Sequence, residues 1–286
     1  MSTISAAHHP GDVFIPGLLN GTVAFVAGGS SGINLRIAQC YASAGARVAI
    51  VGRDANKAEA AAEALRASGS EAIGLSADVR DYSAIEAALS HVHRVWGDID
   101  ILVAGAAGNF VAPATGISSN GFRTVVEIDL IGTFNTVRAA FDRLRKPGST
   151  VLAISAAHSQ MPIAGQAHVC AAKAGVDMLM RSLSVEWGSL GIRCLGIAPG
   201  PVEGTEGMKR LAPQGERSLR RFVGGIPSGR QAHLDEIANL ALFLVSGAAD
   251  YINGSVIPIE GGLLNVGSQS FGEMLLDSVK DRPVGK

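Results

Sequence analysis

Short apolar runs alternate with longer amphipathic stretches along nearly the whole chain, and this alternation constrains the fold more than any other feature. Runs at 22–27, 48–51, 72–75, 101–103, 150–154, 193–197 and 256–259 read as strands. Stretches near 31–44, 56–67, 83–95, 119–144, 165–190 and 234–246 read as helices. Apolar strands separated by helices need crossovers rather than hairpins, which makes neighbouring strands parallel and covers both faces of the sheet. The expected architecture is α/β, a single-domain Rossmann fold with a seven-stranded parallel sheet and helices on both faces.

A length of 286 residues suits one large α/β core, and no composition break divides it. The domain is therefore expected to span 1–286, with an N-terminal extension at 1–18 and a C-terminal extension at 263–286. The segment 200–227 fits the alternation poorly, being rich in Gly, Pro and Arg. It follows the sixth strand, where open α/β sheets place ligands, and it reads as a substrate lid. A surface insertion is the alternative.

A net charge of −1 argues against a phosphate-backbone binder, which normally shows a clustered basic surface, so no nucleic-acid partner is expected. Residues 1–20 carry no export signal, and no segment reaches membrane-spanning length without charge or glycine breaks. The end Pro283-Val284-Gly285-Lys286 is not a peroxisomal Ser-Lys-Leu type signal, and the expected compartment is cytoplasmic. Cys40, Cys170 and Cys194 have no metal-like spacing, so free buried thiols and no metal are expected.

Chemistry first shows in the turn after the first strand. Gly28 and Gly32, with Ser30 and Ser31, stand where a backbone can approach a pyrophosphate and a helix N-terminus supplies N–H donors. At the end of the second strand, Gly52-Arg53 replaces the acidic residue that would hold ribose hydroxyls. A guanidinium there pairs with a 2′-phosphate, which reads as NADP(H). A solvated Arg53 paired with Asp54 is the alternative.

These motifs resemble the short-chain dehydrogenase/reductase family over residues 19–262. That family places a tyrosine four residues before a helix lysine and uses it as proton donor; here Lys173 is kept and Val169 stands in the tyrosine's place. Its serine position is Ala156, beside Ser155, and Asn34 stands where its last loop glycine is usual. Three further stretches resemble the 2,4-dienoyl-CoA reductases, and the missing tyrosine is like their peroxisomal-type branch. These are Ala106-Ala107-Gly108-Asn109-Phe110, the run Glu127–Asn135 with Asp129 where asparagine is common, and Ala198–Gly207.

The resemblance implies cofactor contacts at Gly28, Ser30, Ser31, Gly32, Ile33, Arg53, Asp78, Val79, Ala104, Gly105, Ala106, Lys173, Pro199, Gly200, Val202 and Thr205. Asp129 and Glu260 are implied as the acidic pair that positions a proton-donating water, with a helix-packing residue and a turn acid as the plain alternatives. His158, at the tyrosine position of the mitochondrial-type enzymes, is a further candidate donor, since a loop histidine can donate a proton at neutral pH. Asn109, Phe110, Ser155 and His168 are the substrate candidates; alternation turns Ser155 away from the site, and His168 and Phe110 read equally well as packed residues.

The implied activity is NADPH-dependent reduction of an unsaturated acyl-CoA, most nearly 2,4-dienoyl-CoA to 3-enoyl-CoA. Loss of the tyrosine is intelligible there, because charge gathers toward the thioester oxygen and the proton goes to carbon. Lys209, Arg210, Arg217, Arg220 and Arg221 on the lid offer cations for CoA phosphates, or a solvated charged face. A trans-2-enoyl-CoA reductase, another short-chain oxidoreductase and a non-catalytic NADP(H)-binding subunit are the alternatives. A homotetramer is implied by resemblance.

Overall fold

The computed structural model describes residues 14–211 and 216–268; most of the two terminal extensions and the middle of the 200–227 segment lie outside these residues. All seven strands form where expected: β1 Val23–Ala27, β2 Arg47–Gly52, β3 Ala72–Ser76, β4 Ile101–Ala104, β5 Thr150–Ile154, β6 Arg193–Pro199 and β7 Val256–Ile259. They make one parallel sheet in the order β3-β2-β1-β4-β5-β6-β7. The order reverses between β1 and β4, and a ligand crevice opens at the carboxyl ends of strands at such a switch point.

The described helices are α1 Gly32–Ser43, α2 Ala55–Ala67, α3 Tyr82–Trp96, α4 Ser119–Val126, α5 Gly132–Ala140, α6 Ala167–Trp187, α7 Glu206–Leu211, α8 Glu216–Gly224 and α9 Leu234–Val245. Strand alternation sorts the core into two layers. Ala24 and Val26 of β1 pack with Ile37 and Tyr41 of α1 and Ile237 and Ala241 of α9. Val23 and Phe25 face the other way, toward Ile85 and Leu89 of α3 and Val176 and Met180 of α6. Cys40 and Cys194 are buried free thiols, each pushed up to about 12 chiefly by burial, while the free thiol of Cys170 is half-buried. Among the described residues no helix is long and apolar enough to cross a membrane.

Two departures from the sequence expectation shape the site. The stretch 119–144 is not one α-helix: a π-helical turn, Glu127–Ile131, separates α4 from α5. Thr133 Oγ1 donates to the Asp129 carbonyl at 2.6 Å, a hydroxyl bonding into the helical ladder, and such bulges recur at functional sites. The 200–227 segment, expected as a loop, carries α7 and α8. Thr205 opens α7, accepting the Met208 N–H at 3.2 Å. Its base is tied to the chain beyond it: Ala232 N donates to Pro201 O at 2.9 Å and Glu203 N to Ala232 O at 3.0 Å. The segment is thus a helical excursion anchored beside the end of β6.

Candidate active site

The turn between β1 and α1 has the features a pyrophosphate cradle needs. Gly28 sits at φ +76°, and a Cβ there would come 2.9 Å from the backbone of Ala106, so only glycine lets the turn close against the chain after β4. Ser31 opens α1 with an extended backbone, and its hydroxyl makes no capping bond to the helix. The hydroxyl and the N-terminal N–H groups of a 12-residue helix are therefore available to an anion. Gly32, at φ +57°, and Ile33 continue this rim, both half-buried.

Asn34 has a function that the sequence did not show. Its Nδ2 donates to Gly105 O at 2.7 Å and to Gly28 O at 3.4 Å. The amide thus ties the glycine turn to the chain after β4. A Cβ at Gly105 would lie 2.2 Å from Asn34 Oδ1, so the pair is matched in size. The clue available in the sequence was a polar amide on the core-facing side of a helix.

At the end of β2, Arg53 is exposed, and among the described residues no ion pair engages it. Asp54 is occupied otherwise, accepting the Lys57 N–H at 3.1 Å as the N-cap of α2. The Arg53–Asp54 pairing is therefore absent. Ser30 lies beside this corner, since a Cβ on Gly52 would come 2.9 Å from its Oγ. Asp78 is half-buried and held below the usual carboxylate range, first by hydrogen bonds from the Arg80 side chain; Arg53 adds a smaller electrostatic pull. Val79 is buried, and its carbonyl accepts Asn135 Nδ2 at 2.9 Å.

The chemical centre is a buried ion pair. Asp129, in the π-helical turn, is 0% exposed, and its Oδ1 accepts the Gly108 N–H at 2.7 Å. Its Oδ2 lies 3.2 Å from Lys173 Nζ, near enough for an ion pair yet without a hydrogen-bond partner. Lys173, 5% exposed on α6, donates to Ile154 O at 2.9 Å. Two protons of the ammonium remain for the facing carboxylate, a ribose hydroxyl or a water. Val169, one helical turn before Lys173, is 4% exposed within an apolar cluster of Val125, Ala172, Phe110, Val126 and Leu130. The tyrosine position is thus filled by packed hydrocarbon.

The remaining candidates divide. Ser155 is buried and its hydroxyl donates to Asp177 on α6, the direction strand alternation dictates. His168 is engaged likewise within the protein. It is wholly buried, stacked on Phe110 with ring centroids 4.1 Å apart, and its Nε2 lies 3.1 Å from Phe110 O. Phe110 is half-buried between α4 and α6, and Asn109 precedes it at the mouth of the same loop. His158 is half-buried near Lys173, and its pKa is lowered, first by burial and then by the Lys173 charge. Glu260 is not brought to Asp129 by any hydrogen bond or ion pair among the described residues. Its Oε2 accepts the Leu264 N–H at 2.9 Å, and it borders a cavity of about 100 Å³ with Arg230 and Ser228 at the lid base.

Pro199 and Gly200 end β6 against Glu260: a Cβ on Gly200 would meet Glu260 Cα at 2.7 Å. Val202 is buried there, and Thr205 caps α7. Ala104 and Gly105 are buried at the end of β4, with Ala106 facing Gly28. Of the lid cations, Lys209 pairs with Glu206 at 2.6 Å and Arg217 and Arg220 are exposed; the side chains of Arg210 and Arg221 lie outside the described residues. No group of three His, Cys, Asp or Glu is placed to hold a metal among the described residues.

Lowered titration at His158 has a consequence for stability. The unfolded histidine binds a proton more readily than the folded one, so the contribution is complete above about 6.5 and is lost as pH falls through the folded value. Urea unfolding midpoints at pH 7.5 and 5.5 are expected to show a smaller acid loss in His158→Gln than in the wild type. An equal loss in both would refute the assignment.

A family profile described as "Enoyl-(Acyl carrier protein) reductase" matches residues 27–264. The chain is 40% identical over 262 residues to the peroxisomal 2,4-dienoyl-CoA reductase [(3E)-enoyl-CoA-producing] of Rattus norvegicus, covering 91% of this chain and 88% of that protein. It is 38% identical over 240 residues to the probable 2,4-dienoyl-CoA reductase [(2E)-enoyl-CoA-producing] of Bacillus subtilis, covering 83% of this chain and 94% of that one. Among solved structures, a gluconate 5-dehydrogenase from Burkholderia cenocepacia in complex with NADP and tartrate superposes with a TM-score of 0.81 at 30% identity, over 86% of this chain and 96% of that one. The chain belongs to the short-chain dehydrogenase/reductase family, on the side of it that holds the 2,4-dienoyl-CoA reductases.

Proposed function

We propose that this enzyme reduces 2,4-dienoyl-CoA thioesters to 3-enoyl-CoA with NADPH. One observation carries the reading: a buried Asp129–Lys173 pair stands beside the cofactor cradle while the usual tyrosine position is occupied by packed Val169. NADPH, which Gly28, Ser31, Arg53 and Lys173 would hold, would supply the hydride for C5 of the dienoyl chain. The electron pair moves through the dienyl system to the thioester oxygen. A proton then reaches C2 and the double bond remains between C3 and C4. Asp129 Oδ2, lacking a hydrogen-bond partner, is the acceptor that holds and aims the proton-donating water. Lys173 faces that carboxylate as its counter-charge and has a free proton to offer to the cofactor ribose or to the same water. Glu260 ranks second as the other acid of the pair, one oxygen being occupied by the Leu264 amide.

NADPH rather than NADH is our reading of Arg53 after β2, with Ser30 beside it and Gly52 at the strand end where an acidic side chain would claim ribose hydroxyls. A charge-assisted contact of this kind is worth about 1.5–3 kcal/mol, so Arg53→Ala is expected to raise the KM for NADPH about ten- to a hundredfold. The KM for NADH should barely move; equal changes for both cofactors would overturn the assignment.

The oligomer and the compartment belong to the same proposal. Ile131, Phe134, Met178 and Val185 are exposed on the outer faces of α5 and α6 and the turn before them. A groove of about 330 Å³ runs among Phe134, Phe141, Leu183 and Trp187. An apolar surface of this kind fits a homotetramer, tested by light scattering. A cytoplasmic enzyme remains our reading of the compartment, although the rat relative is named peroxisomal.

The test is NADPH consumption with trans-2,trans-4-hexadienoyl-CoA and decadienoyl-CoA, set against crotonyl-CoA and simple ketones. Turnover confined to the dienoyl thioesters is the expected result. Product analysis locates the remaining double bond, which the names of the rat and Bacillus relatives place differently. Saturable NADPH binding with no turnover of any thioester would leave a non-catalytic binding subunit in its place.

A further inference from the structure

The loop after β4 is held at four points within eight residues, and two of its restraints come from the helix that carries Lys173. Asn34 holds Gly105 O, Asp129 accepts the Gly108 N–H, and Ala112 N donates to Gly165 O at 3.1 Å. Between them, two side-chain donors converge on one carbonyl: Gln166 Nε2 at 2.6 Å and His168 Nε2 at 3.1 Å from Phe110 O. A carbonyl only accepts, so His168 carries its proton on Nε2. Its Nδ1 is buried with no hydrogen-bond partner, and so is Gln166 Oε1. Gln166 is the N-cap residue of α6, yet its side chain caps nothing in its own helix. Burying these polar groups costs free energy that the packing of a plain loop does not require. What they secure is a closed circuit from α6 through Phe110 O to Gly108 N, to Asp129 Oδ1, and from Asp129 Oδ2 back to Lys173 on α6.

We propose that His168, seconded by Gln166, is a positioning residue for the reduction: by fixing Phe110 O it sets the Gly108 N–H that orients Asp129 against Lys173. The inference rests on the assignment of Asp129 as the group that aims the proton-donating water. His168 touches neither substrate nor cofactor in this scheme. Its ring also stacks on Phe110, so a packing role alone is the competing explanation.

A double-mutant cycle on the full-length enzyme separates the two. His168→Phe keeps a ring against Phe110 and removes the donor, whereas His168→Gln keeps a donor and removes the ring. Formation of the protonated 3-enoyl-CoA product is followed in quenched single turnovers of NADPH with decadienoyl-CoA, which keeps a slow Asp129→Asn enzyme measurable. His168→Phe is expected to slow the step about ten- to a hundredfold with the Kd for NADPH unchanged, and His168→Gln to recover most of the rate. In the Asp129→Asn background, His168→Phe should have little further effect, because the oriented group is gone. The same slowing in both backgrounds, or a wild-type rate in His168→Phe, overturns the proposal. If His168→Phe does not fold, Gln166→Met gives the same cycle from the second donor. Wild-type turnover by Asp129→Asn alone would instead sink the catalytic reading of Asp129, a result distinct from failure of the positioning role.

Discussion

Asp129→Asn is expected to lower turnover of a dienoyl-CoA by about 10²- to 10⁴-fold, the range that positioned acid–base groups contribute. The substitution is close to isosteric. An asparagine Oδ1 still accepts the Gly108 N–H, now at 2.7 Å from the carboxylate, so the loop after β4 keeps its anchor. What disappears is the charged oxygen facing Lys173, which is also the oxygen without a hydrogen-bond partner. An amide nitrogen there donates rather than accepts, so it repels the ammonium and cannot hold a water by its hydrogen. NADPH binding should survive, because the cradle of Gly28, Ser31 and Arg53 lies on other elements. Measured as kcat beside a fluorescence Kd for NADPH, the result is a collapse of the first with the second preserved. A kcat within a few fold of wild type would remove Asp129 from the reaction.

The frame was legible because the central strands are buried on both faces and the longer helices carry an apolar stripe. Those patterns depend on local spacing, and strand positions were read to within two residues. The π-helical turn at Glu127–Ile131 was not legible, since one extra residue in a turn leaves the apolar spacing almost unchanged. Nor were α7 and α8, which are short and polar and lack a periodic core face long enough to exceed loop composition. At the site, the glycine turn and Lys173 could be placed from local context. The work of Asn34 could not, because its carbonyl partner on Gly105 lies 71 residues away. His168 and Ser155 differ in this respect: strand alternation gave the direction of Ser155, while the direction of a helix histidine near a motif depends on packing. Ser155 turns to Asp177 and His168 to Phe110 because burial demands a partner for each.

Lys173→Met is expected to cost about 3–5 kcal/mol of stability as well as turnover, and the loss should depend on Asp129. The ammonium is 5% exposed and the carboxylate 0%, so neither charge is solvated in the fold. Removing the ammonium leaves Asp129 with the Gly108 N–H as its one hydrogen-bond donor and no counter-charge. The penalty therefore comes from a stranded buried anion more than from the lost contact itself. Neutralising that anion should return part of the stability: Lys173→Met combined with Asp129→Asn ought to lose about 1–3 kcal/mol less than the two single losses added together. Urea midpoints of the four proteins at pH 7.5 measure this directly. Additive losses would mean that the two charges are screened from each other in solution, and the site would then lack the dry, preorganised electrostatics on which proton delivery to carbon depends. Strong coupling, joined to loss of turnover in each single variant, would make the same pair a cost to the fold and the source of its chemistry.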